Sequence, residues 1–154
     1  MSKRIITLGT WEGKPIEWLV LKEEGFATFC VSKIVLFTHC YNDDENKGND
    51  YAKSDIRKYL NSNFFKTAFS DVEKKKIINV KNTDSNTKDN IFLLSKSEIE
   101  NLMSNGERIC GHWWYTRTPS NNERVYEHKS DAASFATYLT DIDGIRPAMW
   151  IKEK

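Results

Sequence analysis

The apolar residues of this 154-residue chain fall in short runs, strand-like at the two ends and helix-like only in the middle. Near the start, Ile16-Glu17-Trp18-Leu19-Val20-Leu21 alternates and then becomes continuously apolar. Glu23-Glu24-Gly25 supplies a hairpin turn, and Phe26 to Val31 forms the returning strand. Arg4 to Leu8 reads as a further strand. Ile34 to Phe37 fits either a strand or one helical turn. In the middle, Ser54 is a good N-cap ahead of Asp55, and Ile56, Tyr59, Leu60 and Phe64 make an amphipathic stripe. Ser70 with Glu73, and Ser95 with Glu98, have capping-box spacing, in which each partner satisfies an orphan N–H of the other. Asn105-Gly106 is expected to end the last helix. Lys81 to Asn90 reads as a polar loop and Ile91 to Leu94 as a short buried strand. The final third returns to strands: Trp113 to Arg117, Val125 to His128, Ser134 to Leu139 and Ile145 to Ile151. Pro147 predicts that the last of these lies at an edge or a bulge. Strands, then helices, then strands predict an α+β fold: short helices packed on a mainly antiparallel twisted sheet. Without internal repeat or linker, residues 1–154 form a single domain.

Composition narrows the function classes. There are 23 basic and 22 acidic residues, so a net charge of +1 provides no general attraction to nucleic acid or an anionic membrane. The apolar runs are too short to cross a bilayer. With no export-type leader at Met1 to Gly9, the expected location is the cytoplasm. The three cysteines Cys30, Cys40 and Cys110 form no CxxC pair and no disulfide framework. No metal or cofactor is expected. The acidic loop Tyr41 to Tyr51 imitates half of a calcium loop, but Lys47 stands where an oxygen ligand is needed.

Two candidate sites emerge. In Cys110-Gly111-His112, an extended strand would point thiol and imidazole the same way, as a Cys/His nucleophile requires. The other candidate is the aromatic and arginine set Trp113, Trp114, Tyr115, Arg117 and Arg146. Rings alternate across one strand, so one face should be core and the other open. Exposed aromatic faces stack on sugars, and arginine forks hold carboxylate or phosphate. Against that stands core packing, which suits Trp18, Trp113 and Trp150. The clusters Lys74-Lys75-Lys76 and Lys53, Arg57, Lys58 read as solvated helix faces.

Four blocks, in order, resemble an uncharacterised bacterial family, domain of unknown function 6273. They are Ile16 to Leu21 followed by Val31 to Leu36; Ser54 to Asn61 with Phe64-Phe65 and Ala68 to Ser70; Asp89 to Ser95 with Glu98; and Trp113 to Pro119 followed by Gly144-Ile145-Arg146-Pro147-Ala148. Tyr59 stands where the family often has Trp, and Tyr115 where it often has Leu. The family brings no activity. A looser similarity links this pattern to C-type-lectin-like domains, including the formylglycine-generating-enzyme branch, through a central helix pair, a Trp-rich strand and a closing Gly-Φ-Arg strand. The calcium-lectin triplets and the catalytic cysteine pair of those groups are absent from the sequence.

The expectation is therefore a non-catalytic ligand-binding or protein-interaction domain. Its surface would be Trp113 to Arg117 with Arg146 and the loops Tyr41 to Tyr51 and Asn121 to Asp131, and its partner a small molecule, glycan or protein. The alternatives are a small enzyme using Cys110 and His112, and a structural subunit of a phage or mobile-element assembly that self-associates through Ile145 to Ile151.

Overall fold

A computed structural model describes residues 3–120, 124–128 and 134–153. The chain is α+β, with two five-stranded, mainly antiparallel sheets and a small two-stranded one. The first sheet takes β1 (Ile5–Trp11), β2 (Lys14–Glu24), β3 (Ala27–Ser32), β12 (Ala148–Lys152) and β5 (Ile77–Ile78), in that order. The second takes β10 (Ser134–Thr137), β9 (Val125–His128), β8 (Trp114–Pro119), β11 (Asp143–Ile145) and β4 (Phe37–His39). The β2–β3 hairpin follows the expected apolar runs and buries Trp18, Phe29 and Val31. Trp18 donates its indole N–H to the Leu8 carbonyl at 2.8 Å, so the ring enters the core without an orphan donor.

The central helices start where the capping chemistry places them. Ser54 accepts from the Arg57 amide and opens α1 (Asp55–Tyr59). A π-helical turn, Leu60–Phe64, and α2 (Phe65–Ala68) continue it, so that Ile56, Leu60, Phe64 and Ala68 are buried at every fourth residue. Reciprocal capping boxes open α3 (Asp71–Lys76) and α4 (Lys96–Leu102). Glu73 uses its second carboxylate oxygen to accept the Gly9 amide at 2.9 Å, which ties α3 to β1. These bonds to backbone amides, Ser70 first, hold its carboxyl below the ordinary value.

Several expectations are corrected. Asn105-Gly106 does not end a helix: Ser104 and Glu107 form a third capping box that opens α5 (Asn105–Arg108). The polar stretch Lys81 to Asn90 is mostly hairpin, β6 (Val80–Asn82) paired with β7 (Thr87–Asp89), because its alternate residues Asn82, Thr87 and Asp89 face inward. Ile91 to Leu94 is fully buried, yet joins the sheet only through a Phe92–Ala148 bridge. The Tyr41 to Tyr51 loop is anchored rather than free: Tyr41, Asn42 and Tyr51 are buried, and the Tyr51 hydroxyl oxygen accepts the Leu93 amide at 3.2 Å. Lys47 lies between Asp43 and Asp55, with its ammonium 2.6 Å and 3.0 Å from their carboxylates.

The expected edge strand Ile145 to Ile151 is two strands in different sheets. The chain leaves β11, crosses at Arg146-Pro147 and enters β12, which is flanked by β3 and β5. Pro147 sits in the crossing, where it needs no ladder donor, and its carbonyl accepts the Ser32 amide at 2.9 Å. Self-association through this strand therefore loses its premise. Gly144 sets up the crossing sterically. Its N–H reaches the Trp113 carbonyl at 2.7 Å, and a Cβ there would lie 2.6 Å from that oxygen and 2.8 Å from Val35. Backbone is the obstacle, so Gly144→Ala is expected to cost about 3 kcal/mol, near the upper end for overpacking. Urea unfolding measures it.

Candidate functional site

The aromatic and arginine residues singled out by sequence do come together, but as structure. Trp114, Tyr115, Arg117 and Arg146 are buried. Trp114 donates its indole N–H to the Arg108 carbonyl at 3.0 Å. The Tyr115 hydroxyl lies between the Tyr138 and Asp141 carbonyls, at 3.0 and 2.6 Å. Arg117 bonds to the Leu93 carbonyl, to Glu98 at 2.6 Å and to Asp84 at 3.1 Å, and its guanidinium stacks over Phe92. Arg146 has no described carboxylate partner. It donates to the carbonyls of Ser32, Lys33 and Glu107 at 2.9 to 3.0 Å and lies 4.7 Å from the centre of the Trp114 ring. Burial pulls its pKa below the ordinary value. The expectation of an open aromatic and arginine face is thus corrected. Both faces of β8 pack inward, because the second sheet has structure on each side.

Trp113 is the exception. It was weighed as core, yet it precedes β8 and is 39% exposed. A separate apolar strip, not expected from the sequence, lies around Ile34. Ile34 and Ile109 are exposed at 57% and 48%. Ile34 sits between two shallow grooves. One, of about 230 Å³, runs between Trp11, Pro15, Ile16 and Leu36. The other, of about 300 Å³, lies between Leu19, Lys33, Ile109 and Cys110. Val35 lies beside Gly144 and the Trp113 carbonyl, at the start of β8. The rim of the strip is charged and paired: Lys3 with Glu107, and Lys33 with Glu17 at 3.8 Å. The Ile34 to Phe37 run contained a signal. Four apolar residues that follow a strand, with no periodic partner, need not all face a core.

The Cys110/His112 arrangement is also different from the expectation. Gly111 adopts φ +77°, so the segment is bent, not extended. The Cys110 sulfur is 3.9 Å from the His112 carbonyl oxygen, so the contact is to backbone and not to the imidazole. Cys30 is fully buried, and burial drives its thiol pKa upward. The basic helix face is reduced as well. Arg57 turns to the buried Asp89 at 2.9 Å, and Lys74 lies over the Phe65 ring. Among the described residues no cluster of three or more His, Cys, Asp or Glu could hold a metal ion, and no helix is long and apolar enough to cross a membrane. Of the second expected loop, residues 121–123 and 129–131 lie outside the described residues.

One functional-type group was missed altogether. Glu127, in β9, is fully buried, and neither carboxyl oxygen has a hydrogen-bond partner among the described residues. Its sequence signal was alternation: Val125 two residues earlier marks the inward face of the same strand.

A family model described as domain of unknown function (DUF6273) matches residues 18–153. No curated protein and no solved structure matches the chain.

These positions make distinct predictions for the two tryptophans. Trp114→Ala should cost about 3–5 kcal/mol, the range for an aromatic removed from a core. Trp113→Phe should leave a cooperative melt and remove an iodide-quenchable part of the fluorescence. Quenching unchanged by Trp113→Phe would contradict the exposure of this ring.

Proposed function

We propose that this chain, which belongs to the DUF6273 family, is a non-catalytic protein-interaction domain whose contact surface is the apolar strip around Ile34. The partner is a segment of another protein that presents large aliphatic or aromatic side chains. The observation that carries this reading is the exposure of Ile34 and Ile109 at two open grooves that meet at Ile34. Lone exposed apolar residues are ordinary, but a connected strip rimmed by charges has the anatomy of an interface: apolar centre, polar edge.

The open shape of the grooves favours a protein over a small molecule or glycan. Small-molecule sites are enclosed clefts of roughly 300–1,000 Å³ with converging polar groups. Here the grooves are open, and the rim charges Lys3, Glu107, Lys33 and Glu17 are engaged with one another. Side chains inserted from a partner would fill such grooves one at a time. A C-type-lectin-like topology remains part of the proposal. It rests on the order of helix pair, tryptophan strand and closing Gly144-Ile145-Arg146 segment.

The test uses the intact chain and a random-peptide display library, counter-selected on Ile34→Asp/Ile109→Asp. The native protein is expected to bind the apolar dye bis-ANS and to enrich peptides with spaced large apolar residues. The double variant, which removes surface groups only, should melt within about 0.5 kcal/mol of the parent and lose both dye and peptides. A native protein that binds no dye and enriches no variant-sensitive peptide would overturn the reading.

A further inference from the structure

The second sheet contains a carboxyl group that the interaction reading does not use. Glu127 in β9 stands directly opposite Tyr115 in β8. On the other side of β8, Gly144 of β11 is level with Trp114, so Asp143 lies on the same face as Tyr115 and Glu127. Glu127 is fully buried, and among the described residues both its oxygens lack hydrogen-bond partners. An isolated buried carboxylate is too costly to keep charged unless it is paired. The described charges that act on it, Asp143 and Asp141, are both acidic and add repulsion to the desolvation.

Among the described residues, the remaining groups around it include no compensating cation. From β8, the Tyr115 hydroxyl is committed to the Tyr138 and Asp141 carbonyls. Near β10, Thr137 donates its hydroxyl to the Asp141 carboxylate at 3.0 Å. In β4, His39 is level with Asp143, but its Nδ1 meets the Cys40 carbonyl at 2.6 Å and its ring packs on Tyr59. The Cys40 thiol follows it and carries no positive charge. Asp143, which shares the face of Tyr115 and Glu127, is the described acid that acts most strongly on Glu127 and is the acceptor it would use once protonated.

We infer that Glu127 and Asp143 share a single proton across β8, and that losing this proton loosens the β8–β9 pairing, which makes the second sheet a pH-sensitive element. A carboxyl–carboxylate bond satisfies one Glu127 oxygen and removes one of two like charges. Without the proton, Asp143, which is half-buried, faces a second charge on the fully buried Glu127. Trp113, level with Asp143 and bonded through its carbonyl to Gly144, precedes β8, so the opening would reach this exposed ring.

Burial, followed by the Asp143 contact, raises the Glu127 pKa to about 9 from an ordinary value of 4.5. Between those values the folded chain holds a proton that the unfolded chain has released. The contribution to stability is full below about pH 4.5 and disappears as the pH rises through 9. Asp55, Glu73 and Glu107 are shifted in the opposite direction, so their linked effects fall at lower pH.

Urea unfolding from pH 5 to 8 tests the inference on the native chain, Glu127→Gln and Asp143→Asn. The native unfolding constant, relative to that of Glu127→Gln, should rise by up to about tenfold per pH unit. Asp143→Asn should move that dependence to lower pH. Two further measurements do not depend on global stability. Infrared spectra at neutral pH should contain a protonated-carboxyl band that Glu127→Gln removes. Amide exchange, corrected for intrinsic rates, should lose protection in β8 and β9 before the first sheet as pH rises. Equal pH slopes for native and Glu127→Gln proteins, or no Glu127-dependent carboxyl band, would overturn the inference. Stabilisation by calcium chloride that requires Glu127 would also overturn it, assigning the carboxylates to a cation instead.

Discussion

Arg146 joins the halves of this protein. The C-terminal segment must leave one sheet and enter the other within two residues, and any such crossing leaves carbonyls without ladder partners. The guanidinium takes three of them: Ser32 at the end of β3, Lys33 just beyond it, and Glu107 in α5. Its flat face covers Trp114 of the second sheet. A planar five-donor fork can do this, and a lysine ammonium cannot. A buried charge without a carboxylate partner is costly, but partial charges on several oriented carbonyls and a ring face together offset that cost. Arg117 performs a related task nearer the helices, linking the Leu93 carbonyl, the α4 capping glutamate and the β6–β7 turn.

These two arginines explain why the aromatic strand is closed to ligands. Arginine beside tryptophan suggests recognition because both chemistries suit a ligand. Here each satisfies the other: rings cover guanidinium faces, and guanidinium donors fill backbone acceptors. The surface available for contact lies at the margin of this network. Ile34 follows the end of β3, Ile109 follows α5, and Trp113 precedes β8. All three lie just outside regular elements, where side chains are released from the inward register. Beside that network, Glu127 lies on the inward face of β9, where the described charges acting on it are the acids Asp143 and Asp141.

Much of the fold was legible locally. Ser54, Ser70 and Ser95 start helices because a hydroxyl three residues from an amide or carboxylate needs no distant partner. Trp18 to Leu21 and Phe26 to Val31 paired as expected because a short turn limits the register. The misreadings also had local causes. Asn105-Gly106 resembled a helix stop, and Ser104 three residues before Glu107 went unread. Lys81 to Asn90 was too polar to suggest strands, since its inward residues Asn82, Thr87 and Asp89 are themselves polar. Pro147 suggested an edge; it marks a crossing.

The sequence by itself determined the α+β class, the helix starts, the first hairpin and the family pattern, because each depends on contacts between residues close along the chain. The tertiary structure decided which aromatics are covered, which strand is interior and what Arg146 holds. The reason is distance along the chain: Arg146 bonds to carbonyls 113 and 114 positions away, and Phe92 meets Ala148 across the core. Burial of Trp114 and exposure of Trp113, adjacent and chemically identical, follow from those long-range contacts alone.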